Sequence, residues 1–255
     1  MLKGLRQAST GTLVVCLAFV LSGCSGGSSS SSSQAQATAL KSGVFDIGRL
    51  FSDGSTKEGI SLLSPTGNFV VNLDRNSYSF GTLGFSDAGN ISGQIVEYIL
   101  NSTWSLTSAT LSGEVRSAES ADLRAKSSEV TSNSVLQRNP ELSDLGVTLE
   151  ELSGTFTMFD TDNTNTFTIN TDGAVIGEDQ LGCAFLGQVV IPDKTINVFE
   201  LTYDASNCPA APNEGATADD RNGEYTGLGT YDSSGNEVIF YSRNGSVAMF
   251  FKGVK

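Results

Sequence analysis

Chemistry in this chain has to run without histidine, because its 255 residues contain none. The commonest general base near neutral pH and the commonest metal ligand are therefore missing. Ser-His-Asp and Cys-His constellations cannot be assembled. Neither can a His-Glu-x-x-His zinc site. None of the seven lysines follows a Ser-x-x triplet, which removes the serine–lysine acylase pattern. Gly-Lys-Ser/Thr and Gly-x-Gly-x-x-Gly phosphate loops are absent as well. Carboxylate-pair catalysis survives, since it needs only Asp and Glu, but the partners would meet only in the fold. No cofactor is expected.

Two oxygen-rich strings remain. Asp160-Thr161-Asp162-Asn163-Thr164-Asn165 offers the hard donors that calcium prefers. It lacks the glycine at position six and the Glu at position twelve of an EF-hand loop. Asp and Asn between two strands commonly make turns, and a turn is the expectation here. The same holds for Asp219-Asp220-Arg221-Asn222-Gly223. No metal site is expected from either. Phe80, Phe85, Tyr98 and Trp104 would suit a ligand pocket or a core, and core filling is the commoner fate of such side chains.

The amino terminus carries Lys3 and Arg6, then the apolar run from Leu13 to Leu21. A basic start followed by a short apolar stretch is the layout of a secretory signal. The run is too short to span a bilayer, which takes about 20 apolar residues. Leu21-Ser22-Gly23-Cys24 follows, and it resembles the lipobox of bacterial lipoproteins. The resemblance covers this segment alone. It implies a diacylglycerol thioether on Cys24, cleavage before it, and acylation of the new amino terminus by a fatty chain such as palmitate. Ser25, where an Asp would mark inner-membrane retention, implies the outer membrane. Each buried methylene contributes about 0.8 kcal/mol, so two or more chains hold firmly where one holds marginally.

Cleavage would leave 232 residues and take the formal charge from −13 to −15, since Lys3 and Arg6 leave and no acid does. Acidity disfavours nucleic acid, whose binding relies on Lys and Arg against phosphate. It also disfavours direct contact with anionic membranes. Cys16 would leave with the signal. Cys183 and Cys208 would then be the only thiols in the exported body, and outside the cytosol an isolated pair reads as a disulfide.

These groups need elements to hold them. Residues 1–23 read as the signal and 24–41 as a lipidated, Ser-rich tether too poor in apolar surface to order itself. From residue 42 the pattern is mainly β. Phe69-Val70-Val71-Asn72-Leu73 alternates, as does the start of Ile91–Leu100, and Thr and Phe dominate Thr155–Asp160 and Asn165–Asn170. Short strands with closely spaced turns predict an antiparallel sandwich or barrel, in one or two lobes. The sequence suggests a first β region over 42–116, a connector with a short helix over 117–152, and a second β region with the disulfide over 153–255. Thr148-Leu149-Glu150-Glu151 matches a capping box that would open the short helix.

Asn244-Gly245 is expected to close a terminal hairpin, with Tyr241 opposite Ala248 and Ile239 opposite Phe250. Both faces of that hairpin are apolar, so it is either covered on both sides or offers one face for binding. Burial is the expectation, because large exposed apolar patches are uncommon. Ser42-Gly43-Val44-Phe45 resembles Ser153-Gly154-Thr155-Phe156, and Leu83–Asn90 resembles Leu228–Asn236. Duplication and chance convergence of Gly-rich hairpins both account for this.

An anchored, acidic β protein without the common catalytic residues points to a non-enzymatic envelope protein. It would touch the membrane through its anchor and would bind or scaffold an unknown protein. A lipocalin-like carrier of a small apolar ligand is the alternative, since barrels of about eight strands can enclose one. A carboxylate-dependent glycoside hydrolase of the cell wall is a third reading, and it would need paired acids in a cleft.

Overall fold

The computed structural model describes residues 39–128, 130–160 and 163–255. It is mainly β and consists of two closed antiparallel barrels of eight strands each. Neither is a sandwich. The first comprises β1 Gly43–Phe51, β2 Thr56–Leu63, β3 Asn68–Asp74, β4 Ser77–Phe85, β5 Asn90–Leu100, β6 Trp104–Ser117, β7 Ser120–Lys126 and β8 Thr131–Arg138. Consecutive strands pair, and β1 closes the ring on β8, with Ile47 opposite Leu136. A short connector follows, with single turns α1 Pro140–Ser143 and α2 Leu149–Leu152. The expected capping box forms: Thr148 and Glu151 cap each other at the start of α2.

The second barrel comprises β9 Gly154–Asp160, β10 Asn163–Ile169, β11 Ala174–Glu178, β12 Ala184–Val190, β13 Phe199–Ser206, β14 Gly223–Asp232, β15 Glu237–Arg243 and β16 Ala248–Val254. A short helix, α3 Ala218–Arg221, lies between β13 and β14. Among the described residues β16 closes on β9 through the pair Val254 and Thr157.

The connector is therefore shorter than 117–152, because residues 120–138 form β7 and β8. Ala121, Leu123 and Ala125 alternate inward on β7, and Ser132, Ser134 and Leu136 do so on β8. Small and hydroxyl side chains fill that side of the lumen, so the apolar signal is weak although the period is two. The packed body also begins earlier than residue 42. Leu40 is buried and stoppers the first barrel at the end where β1 starts.

Apolar side chains point into the two lumens and toward the face between the barrels. This is the reverse of a membrane-spanning barrel, whose apolar band faces outward. The first lumen is aliphatic, with Ile47, Leu63, Val71, Ile95 and Leu123 around Phe45 and Phe69. The second is aromatic. Phe167 stacks on Phe185 at 5.0 Å and meets Tyr203, Phe240 and Phe251 edge-on. Gly229 leaves room for the Phe199 ring, which occupies the place a Cβ would take.

A third cluster joins the barrels. Val44, Leu62, Val70, Tyr78, Phe80 and Tyr98 from the first meet Val198, Leu228, Tyr241 and Ala248 from the second. The Tyr98 hydroxyl donates to the Asn244 carbonyl at 2.6 Å. Glu200 on β13 accepts from Ser64, Thr66 and Asn68 of the β2–β3 turn. The buried Asn197 amide donates to the carbonyls of Leu142 and Tyr231, and its Oδ1 accepts from the Tyr231 N–H.

The terminal hairpin is covered on both sides. Phe240, Val247 and Phe251 face the aromatic lumen, while Ile239, Tyr241, Ala248 and Phe250 face the first barrel. Its register differs from the expected one: Tyr241 lies opposite Phe250 and Arg243 opposite Ala248. Asn244 is the cause. Its Oδ1 accepts from the N–H groups of Ser246 and Val247, so Gly245-Ser246 forms the loop. The two glycine-led openings also match in conformation, with Gly43 at φ 147° and Gly154 at φ 137°. The second pair of similar strings falls on β4 and β14, the fourth and sixth strands of their barrels, so it does not superpose one barrel on the other.

Candidate functional site

Cys24 lies outside the described residues, as does most of the tether. Cys183 and Cys208 stand buried within disulfide-bonding distance, joining the β11–β12 turn to the segment after β13. Asp160 and Asn163 pair at the end of the β9–β10 hairpin, whose tip, Thr161 and Asp162, lies outside the described residues. Asp219, Asp220 and Arg221 belong to α3, where Thr217 and Asp220 cap each other. Among the described residues no three His, Cys, Asp or Glu side chains converge to hold a metal ion.

Phe80 and Tyr98 belong to the contact between barrels, with Trp104 packed beside them, and Phe85 packs at the rim of the first lumen. These aromatics therefore fill cores. The Trp104 indole N–H is buried and has no hydrogen-bond partner among the described residues.

What sequence reading missed is the open end of the first barrel, opposite the Leu40 stopper. Strand alternation places Arg49 on the lumen side of β1 with Phe45 and Ile47, and Glu97 on the lumen side of β5 with Ile91 and Ile95. The two meet across the lumen, with Arg49 Nη1 donating to Glu97 Oε1 at 3.1 Å and Nε to Ser134 Oγ at 3.4 Å. The Arg49 side chain is 5% exposed and that of Glu97 23%. Burial pulls the guanidinium below its usual range, while the Glu97 carboxylate opposes this. The ring of Phe51 lies 6.0 Å from the guanidinium carbon.

Above this pair opens a recess of about 600 Å³. The turns β3–β4 and β5–β6 form its rim, with Ser127 and Val130 between β7 and β8. The β3–β4 pairing shifts register between Asn72 and Asp74 there, an irregularity of the kind found at barrel rims. Lys57 bonds Asp74 across the opening at 2.5 Å. Partial burial works against the Asp74 charge. The Lys57 ammonium and the N–H of Asn76 outweigh it and hold the carboxyl below the usual range. Asn76, Asn101 and Thr107 also line the recess, and among the described residues their side chains make no hydrogen bond. The sequence signal for this site was an Arg and a Glu at lumen positions of alternating strands. It becomes visible only once each strand's inward face is known.

Two outer surfaces compete with it. An open groove of about 900 Å³ crosses β2, β1, β8, β7 and β6, with Leu50 and Val135 exposed in it. Asp122 there bonds Arg116 through Oδ2, while its Oδ1 is buried without a partner among the described residues. On the second barrel Ile176 and Leu186 form an exposed cross-strand pair. Compared with known proteins, the chain matches no family, no curated protein and no solved structure.

Proposed function

We propose that the chain is an outer-membrane lipoprotein, held through Cys24, that binds a partner at the cell envelope and does not transform it. The lipobox resemblance supports the anchor, and Ser25 and the Ser-rich tether support a body held clear of the lipid. The observation that carries binding over catalysis is the engagement of both carboxylates that line the recess among the described residues. Lys57 holds Asp74 and Arg49 holds Glu97. A glycosidase needs one carboxyl kept protonated as its acid, and the Lys57 ammonium favours the charged form of Asp74.

The packed lumens count against carriage of a small apolar ligand, since side chains occupy the volume such a ligand would take. Recognition is left to the recess, the rims and the outer faces. In-cell photo-crosslinking of the lipidated protein tests this, with the crosslinker placed in turn at Asn101 and at Leu186. The expected result is a discrete adduct from one position and not the other. Turnover of an envelope polymer or lipid, lost in Asp74→Asn or Glu97→Gln, would refute it.

A further inference from the structure

We propose that the recess at the open end of the first barrel binds a neutral, hydroxyl-rich ring, a saccharide unit. The proposal deepens the binding reading above and rests on it. The recess, at about 600 Å³, falls within the range of small-molecule sites, about 300–1,000 Å³.

Its charge argues for a neutral ligand. Among the described residues the recess and its floor hold Arg49, Lys57 and Arg75 against Asp74 and Glu97, a formal +1 in which Lys57 is paired with Asp74 and Arg49 with Glu97. A cationic ligand would therefore find no net countercharge, and an anionic one would find only the Arg75 guanidinium beside two carboxylates. An apolar ligand would strip water from the carboxylates and amides and return no hydrogen bonds, which is costly.

The polar groups argue for hydroxyls. The amides of Asn76 and Asn101 and the hydroxyl of Thr107 each donate and accept, as a sugar hydroxyl does. Among the described residues these side chains are uncommitted. Glu97 is held through Oε1 by Arg49, leaving Oε2 to accept from a ligand. Arg49 is itself buried and pinned to Ser134, so the carboxylate is oriented before a ligand arrives. Phe51 and Ile99 supply the apolar surface against which the C–H face of a ring can lie.

The test uses the full chain in a sugar-free detergent and saturation-transfer NMR. The probes are glucose, N-acetylglucosamine and myo-inositol, with benzoate as the charged control. At least one neutral probe should bind with a Kd of about 1 mM or tighter. The double variant Asn101→Ala, Thr107→Ala should weaken it by about tenfold or more, with an unchanged melting temperature. The proposal is overturned if no neutral probe binds below about 10 mM. It is equally overturned if benzoate binds more tightly than every polyol, or if the double variant binds as well as the parent. A crosslinked partner at Asn101 with all three polyols failing would sink the saccharide and leave the binding reading standing. Consumption of a probe would sink the binding reading itself.

Discussion

Raising the pH should unfold this protein through its tyrosines, in one steep step. All six tyrosines lie in the two barrels, and burial holds each of them above the usual phenol value. Tyr241 is pushed up to about 12. Tyr78, Tyr203, Tyr225 and Tyr241 are the least exposed of those shifted most, none above 4%. Below about pH 10 these phenols are neutral in both folded and unfolded chains, and stability does not depend on them. Above it the unfolded chain releases protons that the native chain keeps, so stability falls as pH rises. One pH unit past the unfolded value costs about 1.4 kcal/mol per group. Four such groups therefore cost about 5–6 kcal/mol near pH 11, comparable with a typical domain stability of about 5–15 kcal/mol. Phenolate absorbance and near-UV circular dichroism should be followed together along a base titration. Both should change in a single transition above about pH 10. Gradual phenolate appearance with the native dichroism intact would refute the reasoning.

Three further perturbations bear on particular contacts. Tyr98→Phe keeps the edge-on packing against Phe80 but orphans the Asn244 carbonyl. It should cost about 1–3 kcal/mol by urea titration, and an unchanged midpoint would remove this bond from the inter-barrel account. Glu97→Ala leaves Arg49 buried and uncompensated. The loss should approach about 3 kcal/mol, the low end for a broken buried pair, because Glu97 is partly exposed. Lys57→Ala, which breaks an exposed pair, should cost under about 1 kcal/mol, and equal losses from the two variants would contradict this ranking. Non-reducing peptide mapping of exported protein should join the Cys183 and Cys208 peptides, which are 25 positions apart. Removing both thiols should then cost about 3 kcal/mol, and free thiols at both positions in the native protein would contradict the pairing.

The β class was legible because strand alternation is local. Phe69, Val71 and Leu73 announce an inward face whatever surrounds them. β7 and β8 were not legible as strands because four of the six inward residues named above are Ala or Ser, with only Leu123 and Leu136 carrying a strong apolar signal. The candidate site was hidden for a different reason. Arg49 and Glu97 are 48 positions apart, and each is unremarkable in its own strand. Their meeting depends on β1 and β5 facing one another across a closed ring, which no local pattern encodes.

The terminal hairpin shows how far local chemistry reaches before tertiary contacts take over. Its two apolar faces called for two covers, and the two covers are the aromatic lumen and the first barrel. The turn residue Asn244 was also the right one to notice, but it acts differently from a two-residue Asn-Gly loop. Its side chain serves as the turn acceptor, which frees its backbone carbonyl for Tyr98 of the other barrel. The register moves as a result, with Tyr241 opposite Phe250 in place of Ala248. Because strand side chains alternate with a period of two, that step leaves every residue on its expected face. A slip of one residue would have put Phe240 and Phe251 on opposite faces of the hairpin, with one of them out of the lumen. The apolar pattern thus excludes the odd registers, and the Asn244 side chain at the turn chooses among the even ones.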